Sequence, residues 1–286
     1  MTKFFITCGA VCVLGIILTV AGFATGGVEN MEKVEQSHSW FHYGSGNEES
    51  DLLPTDAYDS IKAEGNMDIA IVGPGFAEEM DADFAEDWIA DAYENEFAGN
   101  VMVSYREGAE MPEVKVEKGV LIIKSNAVGP EMEVNLSTED SSPNVVVFCD
   151  KKKLDSIEIS TSYGDIAAGG IECDNLNITN DSGDIEVDSV TGGKLAFKTD
   201  AGDIAIENCT GDITAEVNSG DIEFDSGENM DQFRIALQTG AGDIQVNKST
   251  EEVHEFTHEG EPNKLNCRTD AGDIEVTFLD ATKVQE

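Results

Sequence analysis

In the C-terminal half of the chain, apolar residues recur at fixed distances from six glycines: Gly164, Gly183, Gly202, Gly220, Gly242 and Gly272. Seven residues before each stand Ile157, Leu176, Leu195, Ile213, Ile235 and Leu265, and five before stand Ile159, Ile178, Phe197, Ala215, Leu237 and Cys267. Two after stand Ile166, Ile185, Ile204, Ile222, Ile244 and Ile274, and four after stand Ala168, Val187, Ile206, Phe224, Val246 and Val276. Polar residues fall between. Alternation with a period of two marks strands with one buried face. The phase slips once per repeat, at the glycine, and the next residue is always aspartate. Glycine reaches φ > 0 and can turn a corner that other residues resist. The pattern therefore predicts inward positions at −7, −5, −3, −1, +2 and +4 around each glycine. Each repeat reads as strand, corner, strand, connection. One repeat cannot bury its apolar face alone, so repeats must stack.

The glycines are separated by 19, 19, 18, 22 and 30 residues. An extra Gly-Asp-Ile at 211 to 213 is out of register, and its Ile213 serves the following repeat. An antiparallel meander of hairpins would satisfy the alternation. The near-constant corner and the matched columns favour a solenoid, with equivalent residues stacked ~4.8 Å apart. The expected fold is all-β: a single-stranded β-solenoid of about six regular coils plus irregular N-terminal coils.

The recurring phrase, seen in "NDSGDIEV" and "TDAGDIAI", resembles the bacterial putative-adhesin β-strand-repeat family, domain-of-unknown-function family 4097. "YDSIKAEGNMDIAIV" (58–72), "VKVEKGVLIIKSN" (114–126) and "VVVFCDKKKLDSIEIST" (145–161) are similar to that family's less regular opening strands. The resemblance covers roughly residues 55 to 280. It implies a surface-exposed β-helical scaffold with adhesion or envelope roles. It brings no catalytic residues.

The N-terminus follows a different rule. Residues 4–27 carry no charge. As a helix rising ~1.5 Å per residue they would span a hydrocarbon core of ~30 Å. Lys3 precedes this run and Glu29, Glu32 and Glu35 follow it, so the positive-inside rule places the N-terminus in the cytoplasm. Residues 1–28 are expected to form a single-pass transmembrane signal anchor in the cell membrane, leaving the C-terminal domain extracytoplasmic. A cleaved signal peptide, cut after Ala24, is the competing reading. Residues 29–56 read as a stalk. Residues 57–153 read as irregular first strands with an acidic helical insertion at 76–98, residues 154–280 as the repeat solenoid, and 281–286 as a tail. The insertion carries an apolar stripe through Phe76, Met80, Phe84 and Trp88.

Charge removes whole classes of partner. Asp and Glu number 58 against 17 Lys and Arg, a net charge of −41. No basic stripe exists to neutralise phosphates, so no nucleic-acid partner is expected. The expected partners are the membrane, through residues 4–27, and an unidentified envelope polymer or protein. Cys149, Cys173, Cys209 and Cys267 have no Cys-x-x-Cys spacing and read as single buried thiols.

Two groups could carry chemistry. Asp165, Asp184, Asp203, Asp221, Asp243 and Asp273 follow the corner glycines and would form a ladder. The preferred reading is that each carboxylate caps backbone N–H groups of its own bend; the alternative is Ca²⁺ held between neighbours. The second group is "VHEFTH", residues 253–258, which spells His-Glu-x-x-His. On a helix His254 and His258 would share a face and could grip zinc while Glu255 activates water. Ser249 with Glu252 forms a capping box, and Gly260 and Pro262 stop the chain. A short helix of about ten residues is expected there, lying on the scaffold through Val253 and Phe256. The wider zincin pattern is missing, since no third histidine follows. No catalytic residue and no cofactor are expected. The overall expectation is a membrane-anchored, non-catalytic scaffold. The alternative is an enzyme: a cation-dependent polysaccharide-acting protein, or a His-Glu-x-x-His hydrolase.

Overall fold

Each repeat folds as the two strands that its pattern demands. The computed structural model describes residues 48–74, 98–106, 110–127, 143–151, 153–247 and 254–279. The expected anchor and nearly all of the acidic insertion lie outside the described residues. Among the described residues no helix is long and apolar enough to cross a membrane.

The strands before the repeats are β1 (Glu48–Pro54), β2 (Ser60–Gly65), β3 (Asp68–Val72), β4 (Asn100–Arg106), β5 (Glu113–Glu117), β6 (Val120–Ser125) and β7 (Asn144–Phe148). The first four repeats give β8 (Lys153–Tyr163) with β9 (Ile166–Gly169), β10 (Glu172–Ser182) with β11 (Ile185–Asp188), β12 (Thr191–Ala201) with β13 (Ile204–Glu207), and β14 (Thr210–Ser219) with β15 (Ile222–Ser226). The last two give β16 (Phe233–Thr239) with β17 (Ile244–Val246), and β19 (Asn263–Ala271) with β20 (Ile274–Phe278). Between them lies β18 (Glu255–His258).

These strands form two ten-stranded sheets. Sheet A runs β1-β4-β7-β3-β9-β11-β13-β15-β20-β17, and sheet B runs β18-β16-β19-β14-β12-β10-β8-β2-β6-β5. Within the repeats all coil-to-coil pairing is parallel, and it is in register apart from a shift between Thr191 and Lys194 where β12 meets β14. Leu176 faces both Ile157 and Leu195, Ile185 faces both Ile166 and Ile204, and Ile213 faces Leu195 and Leu265. The core is the space between the sheets, filled by the apolar columns. Phe197 sits beside Ala215 in one column, so a large side chain is matched by a small one. At the far end Phe224, Phe233 and Phe278 form a cluster with ring centroids 5.4–5.6 Å apart.

The structure corrects the sequence reading at three points. The residues at −1 do not face inward: Tyr163 is 44% exposed, and Ala201, Ser219, Ala241 and Ala271 are exposed. At the glycine that follows, an added Cβ would lie 1.9–2.3 Å from a carbonyl oxygen of the stacked corner, so backbone occupies the inside of the bend. The last two coils are also out of chain order. β19 lies between β14 and β16, and β20 between β15 and β17. The sixth coil is thus inserted between the fourth and the fifth. Third, the chain around the His-Glu-x-x-His string is a strand, β18, paired antiparallel with the edge of β16.

Upstream, β2 and β3 make a further coil that the glycine count missed. Ile61 faces Ile157, and Ile69 faces Ile166. β6 and β7 continue the stack in parallel; β5 then closes sheet B, and β4 followed by β1 closes sheet A, all with antiparallel pairing.

Candidate functional site: the corner ladder, strand β18 and the outer faces

The aspartates do form a ladder, and from Asp68 to Asp273 each carboxylate is tied to the next coil rather than to its own turn. Asp68 Oδ1 accepts from the backbone N–H of Asp165 at 2.8 Å, Asp165 from Asp184 at 2.9 Å, and Asp184 from Asp203 at 2.8 Å. Asp203 then accepts from Asp221 at 2.8 Å, Asp221 from Asp273 at 2.7 Å, and Asp273 from Asp243 at 2.8 Å. The order passes through Asp273 before Asp243, which is the coil insertion seen again. Asp68 is a rung that its Gly-Asn-Met-Asp spelling concealed.

The glycines are required by the same stacking. At Gly202, φ is +139° and an added Cβ would lie 2.2 Å from the Gly183 carbonyl oxygen. At Gly272, φ is +155° and the Cβ would lie 1.9 Å from the Gly220 oxygen. Those carbonyls also receive buried side chains from the −3 column. Asn180 Nδ2 donates to Gly164 at 2.8 Å, Thr199 Oγ1 to Gly183 at 3.2 Å, Thr269 to Gly220 at 2.9 Å, and Thr239 to Gly272 at 2.8 Å. The polar residue at an inward position was the sequence signal for this column, because a buried hydroxyl needs a partner.

His254 completes that series. Its Nδ1 lies 2.9 Å from the Gly242 carbonyl, where the ring N–H must donate. His258 Nε2 instead meets Asp231 Oδ1 at 3.2 Å. Four residues along a strand span ~13 Å, so the two rings are not brought together as a helix would bring them. Glu255 points out from the strand and is exposed. Among the described residues, no group of three or more His, Cys, Asp or Glu is arranged to hold a metal ion.

The four cysteines are free and buried. Burial pushes Cys149, Cys173 and Cys267 up to about 12, and pushes Cys209 up as well, so the thiolates needed for reactivity are suppressed.

The outer faces differ in charge. On sheet A, the strands from β9 to β20 and β17 present Glu186, Asp188, Glu207, Glu223, Asp225 and Glu275 with no Lys or Arg among them. Burial, reinforced by the neighbouring carboxylates, pushes Glu186 and Glu207 up to about 7 and raises Glu223. Sheet B carries Lys153, Lys194, Lys198, Arg234, Lys264 and Arg268 on its strands. It also has a shallow depression of about 440 Å³ across β14, β19, β16 and β18, floored by Thr214, Asn266, Ala236 and Thr257 and flanked by Glu216 and Arg268.

Parallel coils, a glycine corner and a carboxylate ladder define a strand-repeat β-solenoid. The family described as Toastrack DUF4097 matches residues 99–277, and the chain belongs to that family. Among solved structures, similarity is found to a putative cell adhesion protein from Clostridium sporogenes, at 13% identity and a TM-score of 0.47, covering 81% of this chain and 99% of that one. A putative adhesin from Parabacteroides distasonis matches at 13% identity and a TM-score of 0.37, covering 81% and 98%. A putative lipid binding protein from the same species matches at 17% identity and a TM-score of 0.33, covering 82% and 98%. No curated protein matches.

Proposed function

We propose that this chain is a membrane-anchored, extracytoplasmic β-solenoid scaffold that acts by presenting its outer faces to an envelope polymer or protein, without catalysis. The observation that carries this reading is the use made of the repeated chemistry. From Asp68 to Asp273, each rung of the ladder holds the next coil's N–H. The corner glycines are occupied by coil stacking. What repeats therefore serves stacking, and what varies between coils lies on the two outer faces. The family match over residues 99–277 supports the solenoid scaffold on which this reading is built.

Two experiments test it. Labelling of single cysteines placed at the termini, in intact cells and in lysed cells, reads topology. The scaffold reading requires the C-terminal label to react from outside and the N-terminal label only after lysis. Elemental analysis of the purified chain, with and without His254→Ala, reads the enzyme alternative. A stoichiometric zinc lost in the variant would overturn the non-catalytic reading; an unchanged metal content supports it.

A further inference from the structure

The out-of-order coil goes beyond the scaffold reading. β19 and β20 are the last strands in sequence, yet they lie inside the stack, paired on both sides. The slot they fill is stringent. A Cβ at position 272 would meet the Gly220 carbonyl at 1.9 Å, and a Cβ at 242 would meet the Gly272 carbonyl at 2.0 Å. The slot also needs a backbone N–H for Asp221 Oδ1, a carboxylate for the Asp243 N–H, a hydroxyl for the Gly220 carbonyl and a carbonyl for the Thr239 hydroxyl. A coil bearing Thr at −3 and Gly-Asp-Ile at its corner, as Thr269 and residues 272–274 do, meets all of these demands. The covalent tie to the inserted coil is short and superficial. β18 stays on β16. Residues 259–262 then lead into β19, held by exposed ion pairs of Arg234 with Glu259 and Glu261 and by the Glu261 N–H on the Asp231 carbonyl. Exposed pairs of this kind hold weakly.

We propose that this slot is an exchange site, in which the C-terminal coil of a second copy replaces the chain's own and links the copies. Every contact within the slot is the same whether residues 263–278 come from one chain or its neighbour. Only the hinge differs, which is the condition for domain swapping.

Thr214 and Asn266 are register partners on the outer face of sheet B. Adjacent strands lie ~4.8 Å apart, inside the ~4.4–6.8 Å window for a disulfide between Cα atoms. Two full-length chains in detergent are therefore prepared, one with Thr214→Cys and one with Asn266→Cys, both with Cys8→Ser and Cys12→Ser. They are mixed either after folding or before joint refolding, then oxidised and run on a non-reducing gel. Exchange predicts a covalent heterodimer, at doubled mass, that is several-fold more abundant after joint refolding. The same chains with different affinity tags and native Thr214 and Asn266 must then co-purify only after joint refolding. Equal heterodimer in both mixtures, or tags that separate after joint refolding, overturns the proposal. Failure here leaves the topology and metal tests untouched, so the two readings fall separately.

Discussion

Replacing Gly202 by alanine tests the corner most directly. The residue holds φ +139°, and the new Cβ would lie 2.2 Å from the Gly183 oxygen and 2.6 Å from its carbon. Backbone in this region costs a non-glycine residue about 1–3 kcal/mol. Relief of the overlap requires the coils to part by roughly 1 Å, an overpacking cost of about 1–3 kcal/mol. Parting them also strains two bonds across the same junction: Asp203 N–H to Asp184 Oδ1 at 2.8 Å, and Thr199 Oγ1 to the Gly183 carbonyl at 3.2 Å. Each contributes about 1 kcal/mol. The sum is about 4–8 kcal/mol, a large part of the ~5–15 kcal/mol that holds a domain together. Gly227→Ala is the control, because its Cβ would meet nothing closer than Asn208 Oδ1 at 3.8 Å and no positive φ is required. Equilibrium urea unfolding should show Gly227→Ala close to the parent and Gly202→Ala with a much lower midpoint. If Gly202→Ala lost less than about 1 kcal/mol relative to the control, the corner would be compliant and the stacking argument wrong.

Three further outcomes follow from the same geometry. Ile204→Asp places a charge in a column where the side chain is 1% exposed, a class of change costing about 4–5 kcal/mol or more; loss of the strand signal in circular dichroism checks it. Asp203→Asn keeps an oxygen for the Asp221 N–H and should melt near the parent, whereas Asp203→Ala removes it and should lower stability by about 1–2 kcal/mol. For Glu186 and Glu207 the folded state raises the pKa from 4.5 to about 7, so the folded state holds protons that the unfolded state has released. Stability from these groups is therefore full below about 4.5 and is lost as pH rises through about 7. Glu186→Gln should flatten that slope in a series of thermal melts, and an unchanged slope would assign it elsewhere.

The columns were legible because a period of two and a fixed glycine leave little freedom. Once the strands run in parallel, Leu195 can only stack on Leu176 and Ile213. The order of the last coils was not legible, and the reason is the same regularity. Ile235, Leu237, Ile244 and Val246 are interchangeable in kind with Leu265, Cys267, Ile274 and Val276, so nothing local distinguishes fifth from sixth place. The 30-residue interval was the one clue, since a coil that must travel back needs a longer connection. The partner of each aspartate was half legible. Turn chemistry correctly gave it a backbone N–H, but the stack set that N–H one coil away. At residues 255–258 local helix signals lost to a tertiary demand. The edge of β16 offers a row of unpaired backbone groups, and a strand satisfies them where a helix does not.

The division of labour between core and surface limits where function can lie. Inward columns admit only apolar residues and the hydroxyls or amides that reach a corner carbonyl. In the six glycine repeats the corner is always Gly followed by Asp, and the coil before them reaches the same rung with Met67 ahead of Asp68. The outer columns alone are free to vary from coil to coil, and there the charges separate. The described strands of sheet A from β9 onward carry carboxylates and no Lys or Arg in their own sequence, while the sheet B face interleaves Lys and Arg with acids and holds the depression. One partner cannot be complementary to both. A basic partner would be drawn to the carboxylates of sheet A, whereas a neutral, hydrogen-bonding partner would find its donors and acceptors at Thr214, Asn266 and Thr257 on sheet B. Binding should therefore be mapped on each face by separate surface variants, and loss on one face with retention on the other is the pattern that a two-faced scaffold requires.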